Sequence, residues 1–162
     1  MPGTHRCQAR TVLVPGAPLP MPAAMSEQTI ALVTGANKGI GYEIAAGLGA
    51  LGWSVGIGAR DRERGAQATA ALCARGVDAF AVPLDVTDDA DVSAAARLME
   101  KRAGRLDVLA NNACPGYVAT DLNGFSGTRT AEEGARVAIR LATLPDDEPT
   151  GGLFDDEGPV PW

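Results

Sequence analysis

A glycine-rich segment near the start of the chain is the clearest candidate for chemistry. Residues 34–41 run TGANKGIG, between a short apolar run over residues 29–33 and a stretch whose apolar side chains recur at helical spacing. A helix that begins directly after such a turn offers unpaired backbone N–H groups to an anion. The segment therefore predicts a phosphate-binding loop.

The positions of this loop have different expected tasks. Gly35 permits the tight turn, Gly39 lets a pyrophosphate approach the backbone, and Gly41 allows close packing of the helix on the strand. A glycine loop alone is a weak signal, and its strength here comes from its place between a strand and a helix. The loop also supplies three further candidate contacts to a bound ligand, Asn37, Lys38 and Ile40.

The pattern lacks side chains for nucleophilic or metal chemistry. The single histidine, His5, stands near the amino terminus, so no Ser-His or Cys-His pair is expected. The three cysteines are an odd number without CxxC spacing, which indicates neither a disulfide framework nor a zinc site. We therefore expect no catalytic nucleophile, no metal and a reducing, cytoplasmic location.

Strands and helices alternate along the first two thirds of the chain. Apolar runs predict strands over residues 29–33, 54–59, 79–84 and 108–110, and Asp61 and Asp88 stand as N-caps before two helical stretches. Such alternation implies a parallel sheet covered on both faces, the doubly wound α/β arrangement.

The rhythm breaks after the fourth strand. A loop with Pro115 and Gly116 follows, Thr130 and Glu133 form a capping box for a further helix, and residues 151–154 are a candidate last strand. The expected fold is thus a truncated sheet of four to five strands.

Composition limits the partners. The 162-residue chain carries a net charge of -6, which argues against nucleic acid and anionic membranes, and no segment has the apolar length of a membrane span.

Residues 1–24 hold five prolines and no acidic residue, so we interpret them as a disordered leader before a domain over residues 25–162. The leader is either an extension upstream of a start at Met25 or a targeting peptide.

With these elements in place, the chain resembles the short-chain dehydrogenase/reductase family. Its TGxxxGIG loop matches residues 34–41, its LDV motif residues 84–86, its NNAG motif residues 111–113 and its PGxxxT loop residues 115–120. The loop wording and the GAR at residues 58–60 are most similar to the carbonyl reductase branch, which implies reduction of carbonyl compounds on a Rossmann-type fold. The resemblance adds as cofactor contacts Asp85, Val86, Asn112, Pro115, Gly116 and Thr120.

Charge at the end of the second strand bears on cofactor choice. An acidic residue there selects NAD and a basic one NADP. Arg60 occupies the position, and Lys38 is expected near the same ribose, so two cations would converge on a 2'-phosphate. We favour NADP over NAD. Asp61 offers the alternative of holding an unphosphorylated ribose.

The proton-transfer residues that the resemblance implies are missing. The family uses a Tyr-x-x-x-Lys pair on a helix, with a Ser and an Asn nearby. This chain has two lysines, Lys38 and Lys101, and neither tyrosine, Tyr42 or Tyr117, is followed by lysine four residues later. We therefore assign no catalytic residue.

The missing segment has a definite place. The NNA motif ends the fourth strand, while the PG that follows belongs to a loop after the family's sixth strand. At about 30 residues per strand and helix unit, roughly 60 to 80 residues are absent between them. This deletion leaves Val108–Ala110 as an exposed edge strand.

Three interpretations remain open at the level of sequence. The chain is a shortened carbonyl reductase, a non-catalytic module that binds a small-molecule dinucleotide, or the non-functional product of an internally deleted gene. The residues that would line a substrate pocket are expected mainly in the missing segment and in the short loop over residues 121–129, and the helices that the family usually pairs across subunits belong to the missing segment.

Overall fold

The computed structural model describes residues 28–111, 117–144, 153–154 and 158–160. Strands and helices alternate through most of this range, as the apolar pattern predicts. In chain order the elements are β1 (Ile30–Val33), α1 (Gly39–Ala50), β2 (Ser54–Ala59), α2 (Arg62–Ala74), β3 (Ala79–Pro83), α3 (Asp89–Ala103), β4 (Val108–Ala110), a 3-10 turn (Asp121–Asn123), α4 (Ala131–Ala142), β5 (Leu153–Phe154) and β6 (Pro159–Val160).

Four strands form one parallel sheet in the order β3-β2-β1-β4. Helices α1, α2 and α4 pack on one face, and α3 packs on the other. The predicted doubly wound α/β fold is therefore confirmed, with four strands in the sheet. Because all four strands run in one direction, the loops after β1, β2 and β3 emerge at the same edge.

The core has two layers because successive side chains of a strand point to opposite faces. On β1, Ala31 and Val33 face α1 with Ile44, while Leu32 faces α3 with Met99. Strand β2 is buried along its whole length, as expected for a central parallel strand.

Local capping signals fix where three helices begin. The Asp61 carboxylate accepts hydrogen bonds from the backbone of α2, and Asp88 does the same for α3. Thr130 and Glu133 form the predicted capping box of α4, at 3.1 Å and 2.8 Å. A side-chain oxygen satisfies N–H groups that would otherwise lack a partner, typically worth about 1 kcal/mol.

The short strand β4 is attached to β1 at both ends. At its start, Asp107 accepts from the Ile30 N–H through its carboxylate at 2.7 Å. At its finish, the Thr34 N–H donates to the Ala110 carbonyl at 3.0 Å, and the Thr34 hydroxyl donates to Asn111 Oδ1 at 2.9 Å. These bonds hold β4 in register although it has only three residues.

Two expectations need correction. The predicted last strand contributes Leu153–Phe154, but these residues pair with Pro159–Val160 in an antiparallel hairpin and do not extend the parallel sheet. Cys73 is disulfide-bonded, so the expectation that the cysteines carry no disulfide is wrong for this residue.

Other sequence predictions fall outside the described residues. These are the leader over residues 1–24, the junction, and the candidate contacts Asn112, Pro115 and Gly116. Within the described ranges, no helix is both long and apolar enough to cross a membrane.

Among the described strands, β4 pairs with β1 alone, and its other edge predicts self-association. Leu109 is 57% exposed at this edge, and an unpaired strand edge is a template for pairing with another chain. We expect Leu109→Lys to reduce self-association in light scattering at high concentration, while the free energy of unfolding changes by less than about 0.5 kcal/mol. Leu51→Lys, at the end of α1, is the matched control because Leu51 is 54% exposed. An equal effect of both variants would contradict a specific role of the edge.

Candidate functional site

A cavity of about 500 Å³ lies at the sheet edge where β1, β2 and β3 end. It brings together most of the described residues that the sequence predicts as cofactor contacts. Its lining consists of Thr34, Gly35, Asn37, Lys38, Gly39, Ile40, Gly41, Arg60, Leu84, Val86, Thr120, Asp121 and Leu122.

The turn after β1 forms the floor of this cavity. Gly35 has φ +62 and Gly39 has φ +57, a left-handed conformation that side chains other than glycine rarely adopt. The Ala36 N–H donates to the Gly58 carbonyl at 2.9 Å, which ties the turn to β2. The tight turn predicted at Gly35 is thus present.

Gly41 has a different structural reason from the predicted one. A Cβ there would lie 2.6 Å from the Gly35 carbonyl oxygen and 3.1 Å from the Ala36 Cα. The close contact is therefore between the first turn of α1 and its own loop, whereas we predicted helix-to-strand packing. Sequence spacing does not reveal this contact, because it depends on how sharply the loop folds back.

The amino terminus of α1 faces this cavity without a side-chain cap. Its N-cap residue, Lys38, makes no capping hydrogen bond, in contrast to the N-caps of α2, α3 and α4. The N–H groups of Gly39, Ile40 and Gly41 are therefore available to an external acceptor. A helix start of this kind favours an anion through both its N–H groups and its dipole.

Arg60 and Asp61 both follow β2, but their side chains have different surroundings. Arg60 lines the cavity, and no hydrogen bond or ion pair within the described part of the chain engages its guanidinium. The Asp61 carboxylate instead accepts from the N–H groups of Glu63 and Arg64, at 3.0 Å and 3.1 Å. Asp61 is therefore engaged in capping α2, which weighs against its holding a ribose.

Lys38 has an acidic partner that sequence reasoning missed. Its ammonium forms a hydrogen-bonded ion pair with Asp121, from the loop that precedes α4. This hydrogen bond is the main cause that holds the pKa of Asp121 below its ordinary value. Asp121 is therefore ionised at neutral pH and shares the cavity with the cation that we expected to meet a phosphate.

Asp85 and Val86, which follow the end of β3, differ in their position relative to the cavity. Val86 lines the cavity and is 55% exposed, whereas Asp85 is not part of the lining. The Thr87 hydroxyl and N–H donate to the Asp85 carboxylate at 2.7 Å and 2.9 Å, and they hold its pKa below the ordinary value. The positive charge of Arg60 lowers it further. The predicted cofactor contact of Asp85 stays a prediction.

The loop over residues 117–130 brings Thr120 to the cavity. Its backbone is internally bonded: the Asn123 side chain accepts from the Thr120 N–H at 3.1 Å and donates to the Val118 carbonyl at 2.8 Å. The Ala119 N–H donates to the Arg129 carbonyl at 2.7 Å. The loop is thus held in a defined shape.

Sequence reasoning did not single out four residues of the cavity as contacts. Thr34 and Leu84 are the first residues of the predicted TGxxxGIG loop and LDV motif, so both motifs had already indicated this region. The other two follow Thr120, in the loop over residues 121–129 that the sequence predicts to line a substrate pocket. They are Asp121 and Leu122.

A second cavity of about 400 Å³ lies between α3 and the edge strand β4. Most of its lining is apolar, including Leu32, Met99 and Leu109. It is separate from the phosphate loop except at Thr34, Leu84 and Val86, which line both spaces. Its apolar character suits packing better than the binding of a charged ligand.

Comparison with known proteins accounts for this combination of a glycine loop and a parallel sheet. The family model described as "short chain dehydrogenase" matches residues 29–132, more than half of the chain. The chain belongs to the short-chain dehydrogenase family. Members of this family bind a nicotinamide dinucleotide. The assignment of the chain to the family from its sequence motifs is confirmed.

Similar proteins include several oxidoreductases. The chain is 43% identical over 90 residues to an uncharacterised oxidoreductase of Bacillus subtilis, covering 56% of this chain and 35% of the relative. It is 38% identical over 133 residues to a short-chain dehydrogenase/reductase of Stachybotrys chlorohalonatus, covering 77% and 48%. The chain thus spans about a third to a half of the length of these relatives, consistent with a shortened family member.

Solved structures agree with the fold. The menthone neomenthol reductase of Mentha piperita matches with a TM-score of 0.52 and 39% identity, covering 54% of this chain and 32% of that protein. A metagenomic short-chain oxidoreductase in complex with NADP matches with a TM-score of 0.50 and 34% identity, covering 72% and 53%.

The tyrosines of this short-chain dehydrogenase lie outside its phosphate-loop cavity. Tyr42 lies on α1 and packs against the core, and the Tyr117 hydroxyl lies 2.6 Å from Ser126 Oγ in the loop before α4. Neither residue lines the cavity. Of the two lysines, Lys38 is paired with Asp121 and Lys101 lies in the last turn of α3.

The Gly41 contact gives a test of the loop. In Gly41→Ala the new methyl group would meet the Gly35 carbonyl, so we expect the free energy of unfolding to fall by about 1 to 3 kcal/mol and dinucleotide binding to weaken at least about tenfold. Chemical denaturation and isothermal titration measure the two effects.

Gly47→Ala is the matched control for this loop variant. It places the same methyl group on the same helix, but the methyl meets the side chain of Ile139 on α4 instead of the loop backbone. We expect binding to stay unchanged in this control. Normal binding by Gly41→Ala would show that the loop tolerates the shift.

Proposed function

We propose that this chain binds NADP(H) through the adenosine and pyrophosphate part of a short-chain dehydrogenase site and does not itself catalyse hydride transfer. The observation that carries the proposal is the uncapped amino terminus of α1, which opens onto the cavity together with the guanidinium of Arg60. When bound, the nicotinamide would supply the hydride, whereas this chain supplies only the contacts that bind the adenosine and pyrophosphate part of the cofactor.

The binding part rests on the chemistry of the loop. The turn at Gly35 and Gly39 leaves space above the backbone, since a Cβ at Gly35 would meet no atom within 4 Å and one at Gly39 only the Thr120 methyl group at 3.5 Å. A diphosphate can therefore approach the N–H groups closely. Asn37, Ile40 and Thr120 complete the expected contacts.

The preference for NADP rests on charge. Arg60 presents a planar donor array to the cavity, which suits a phosphate, and the Asp61 carboxylate caps α2 instead of facing a ribose. A relative of similar sequence, the metagenomic short-chain oxidoreductase, has NADP in its structure. Both points support NADP over NAD for this chain.

The lack of turnover rests on the missing proton donor. Reduction of a carbonyl compound, the activity of the carbonyl reductase branch that the motifs resemble, needs an acid beside the substrate oxygen. Neither tyrosine meets this need, since both lie outside the cavity lining. Positioned acid catalysis contributes about 10² to 10⁴ in rate, and orientation of the nicotinamide contributes more.

A product without function is the alternative that the exposed surface favours. In the part of the chain that the structure describes, β4 has no second partner strand and an apolar cavity lies beside it, as expected of a fold that has lost packing partners. Binding of dinucleotide by a folded chain distinguishes the two proposals, because a damaged product would not keep a selective site.

Cofactor preference tests the binding proposal. We expect NADPH to bind more tightly than NADH, and Arg60→Ala to reduce this preference by about 1.5 to 3 kcal/mol, because a charge-assisted contact is lost. Isothermal titration of both cofactors measures it. Arg75→Ala removes the same charge at the opposite end of α2 and should leave the preference intact. Equal affinity of the parent protein for the two cofactors would contradict the assignment to NADP.

Turnover tests the second part of the proposal. With NADPH and a panel of quinones, aldehydes and ketones, we expect no oxidation of NADPH above the uncatalysed rate, followed by absorbance. Substrate-dependent oxidation that Gly39→Trp abolishes would overturn the proposal, since that variant fills the loop while leaving contaminating enzymes unaffected.

A further inference from the structure

The ion pair between Lys38 and Asp121 lies inside the proposed cofactor cavity. It joins the phosphate loop to the loop before α4, across 83 positions of sequence. The two side chains are 52% and 47% exposed, so both are accessible to a ligand. A bound dinucleotide therefore meets a cation and an anion together at this point.

The Asp121 carboxylate is held at this place by its loop. Asp121 begins the 3-10 turn Asp121–Asn123, whose preceding residue, Thr120, accepts from the Phe125 N–H at 2.8 Å. The Asn123 side chain bonds both Thr120 and Val118. These hydrogen bonds hold the backbone on both sides of Asp121, which places its carboxylate within reach of Lys38.

Arg60 differs from Lys38 in its ion pairing. Both cations line the cavity, but only Lys38 has an ion-pair partner among the residues that the structure describes. A 2'-phosphate that approaches Lys38 must displace Asp121 and then sit near its negative charge. The same approach to Arg60 displaces no such partner.

We infer that Asp121 is a specificity-determining residue, which restrains the preference for NADPH by competing with the 2'-phosphate for Lys38. This inference rests on the proposed function, since it presumes that the cavity binds the dinucleotide. On this inference the preference for NADPH over NADH depends mainly on Arg60, and Lys38 contributes less to it.

A purely structural role of the ion pair makes the opposite prediction. If the pair served only to fasten the loop that carries Thr120, its removal would loosen the cavity and weaken both cofactors. Competition predicts instead that removing the carboxylate strengthens NADPH more than NADH, because NADH has no 2'-phosphate.

The experiment measures the dissociation constants of NADPH and NADH for the parent chain and for Asp121→Asn at one low ionic strength. Low salt matters because the screening length is about 10 Å at 0.1 M. An exposed ion pair is weak, so we expect the ratio of NADH to NADPH dissociation constants to rise about two- to fivefold. Asparagine keeps the shape of the side chain.

Glu132→Gln is the matched control for charge. Glu132 is exposed in the first turn of α4 and is absent from the cavity lining, so this variant removes one negative charge without releasing Lys38. We expect its cofactor ratio to equal that of the parent. An equal rise in both variants would overturn the inference, because net charge alone would then explain it.

A double-mutant cycle with Lys38→Met tests whether the effect runs through the lysine. In that background Asp121→Asn should change the ratio by less than it does beside Lys38, since no cation is left to release. An unchanged ratio in Asp121→Asn, a fall in it, or an equal rise with and without Lys38 would each overturn the inference.

Failure of the proposed function gives a different result. If neither the parent nor Asp121→Asn binds either cofactor while circular dichroism shows both folded, the proposed function fails and the inference falls with it. If the parent binds NADPH but the ratio does not respond to Asp121→Asn, only the inference fails.

Discussion

The contact between the turn after β1 and the backbone around it is the constraint on which the site depends. A Cβ at Gly41 would lie 2.6 Å from the Gly35 carbonyl oxygen, and a Cβ at Gly58 would lie 2.8 Å from the Val33 carbonyl oxygen. Glycine at both positions allows backbone to pack on backbone. The hydrogen bond from Ala36 to Gly58 then fixes the turn, so α1 begins at the sheet edge with its N–H groups exposed to the cavity.

Electrostatics at this edge follow from the direction of the strands. Because β1, β2 and β3 run parallel, the residues after each strand meet at one place, which brings Arg60 close enough to lower the pKa of Asp85. The loop before α4 adds Asp121 to the same space. The cavity lining therefore includes two cations and an anion, and among the described residues the anion pairs with Lys38 and not with Arg60.

Local signals in the sequence sufficed for much of the fold and failed for contacts between distant segments. The caps Asp61 and Asp88 and the capping box at Thr130 were predicted, because each acts within three residues of its partner. The pair of Lys38 and Asp121 spans 83 positions, and no spacing rule connects them. The phosphate loop was found because its chemistry lies in one contiguous stretch.

The same distinction explains how the phosphate loop keeps its shape close to an edge of the described sheet. Strand β4 is bonded to β1 through Asp107 at its start and through Thr34 at its end, so its position depends on β1 and not on strands beyond it. Strand β4 is therefore the edge of the described sheet and Leu109 is exposed there, whereas the turn after β1 has its supports in β2 and α1. The phosphate loop and the segment beyond β4 are thus structurally separable, because they rest on different neighbours in the sheet.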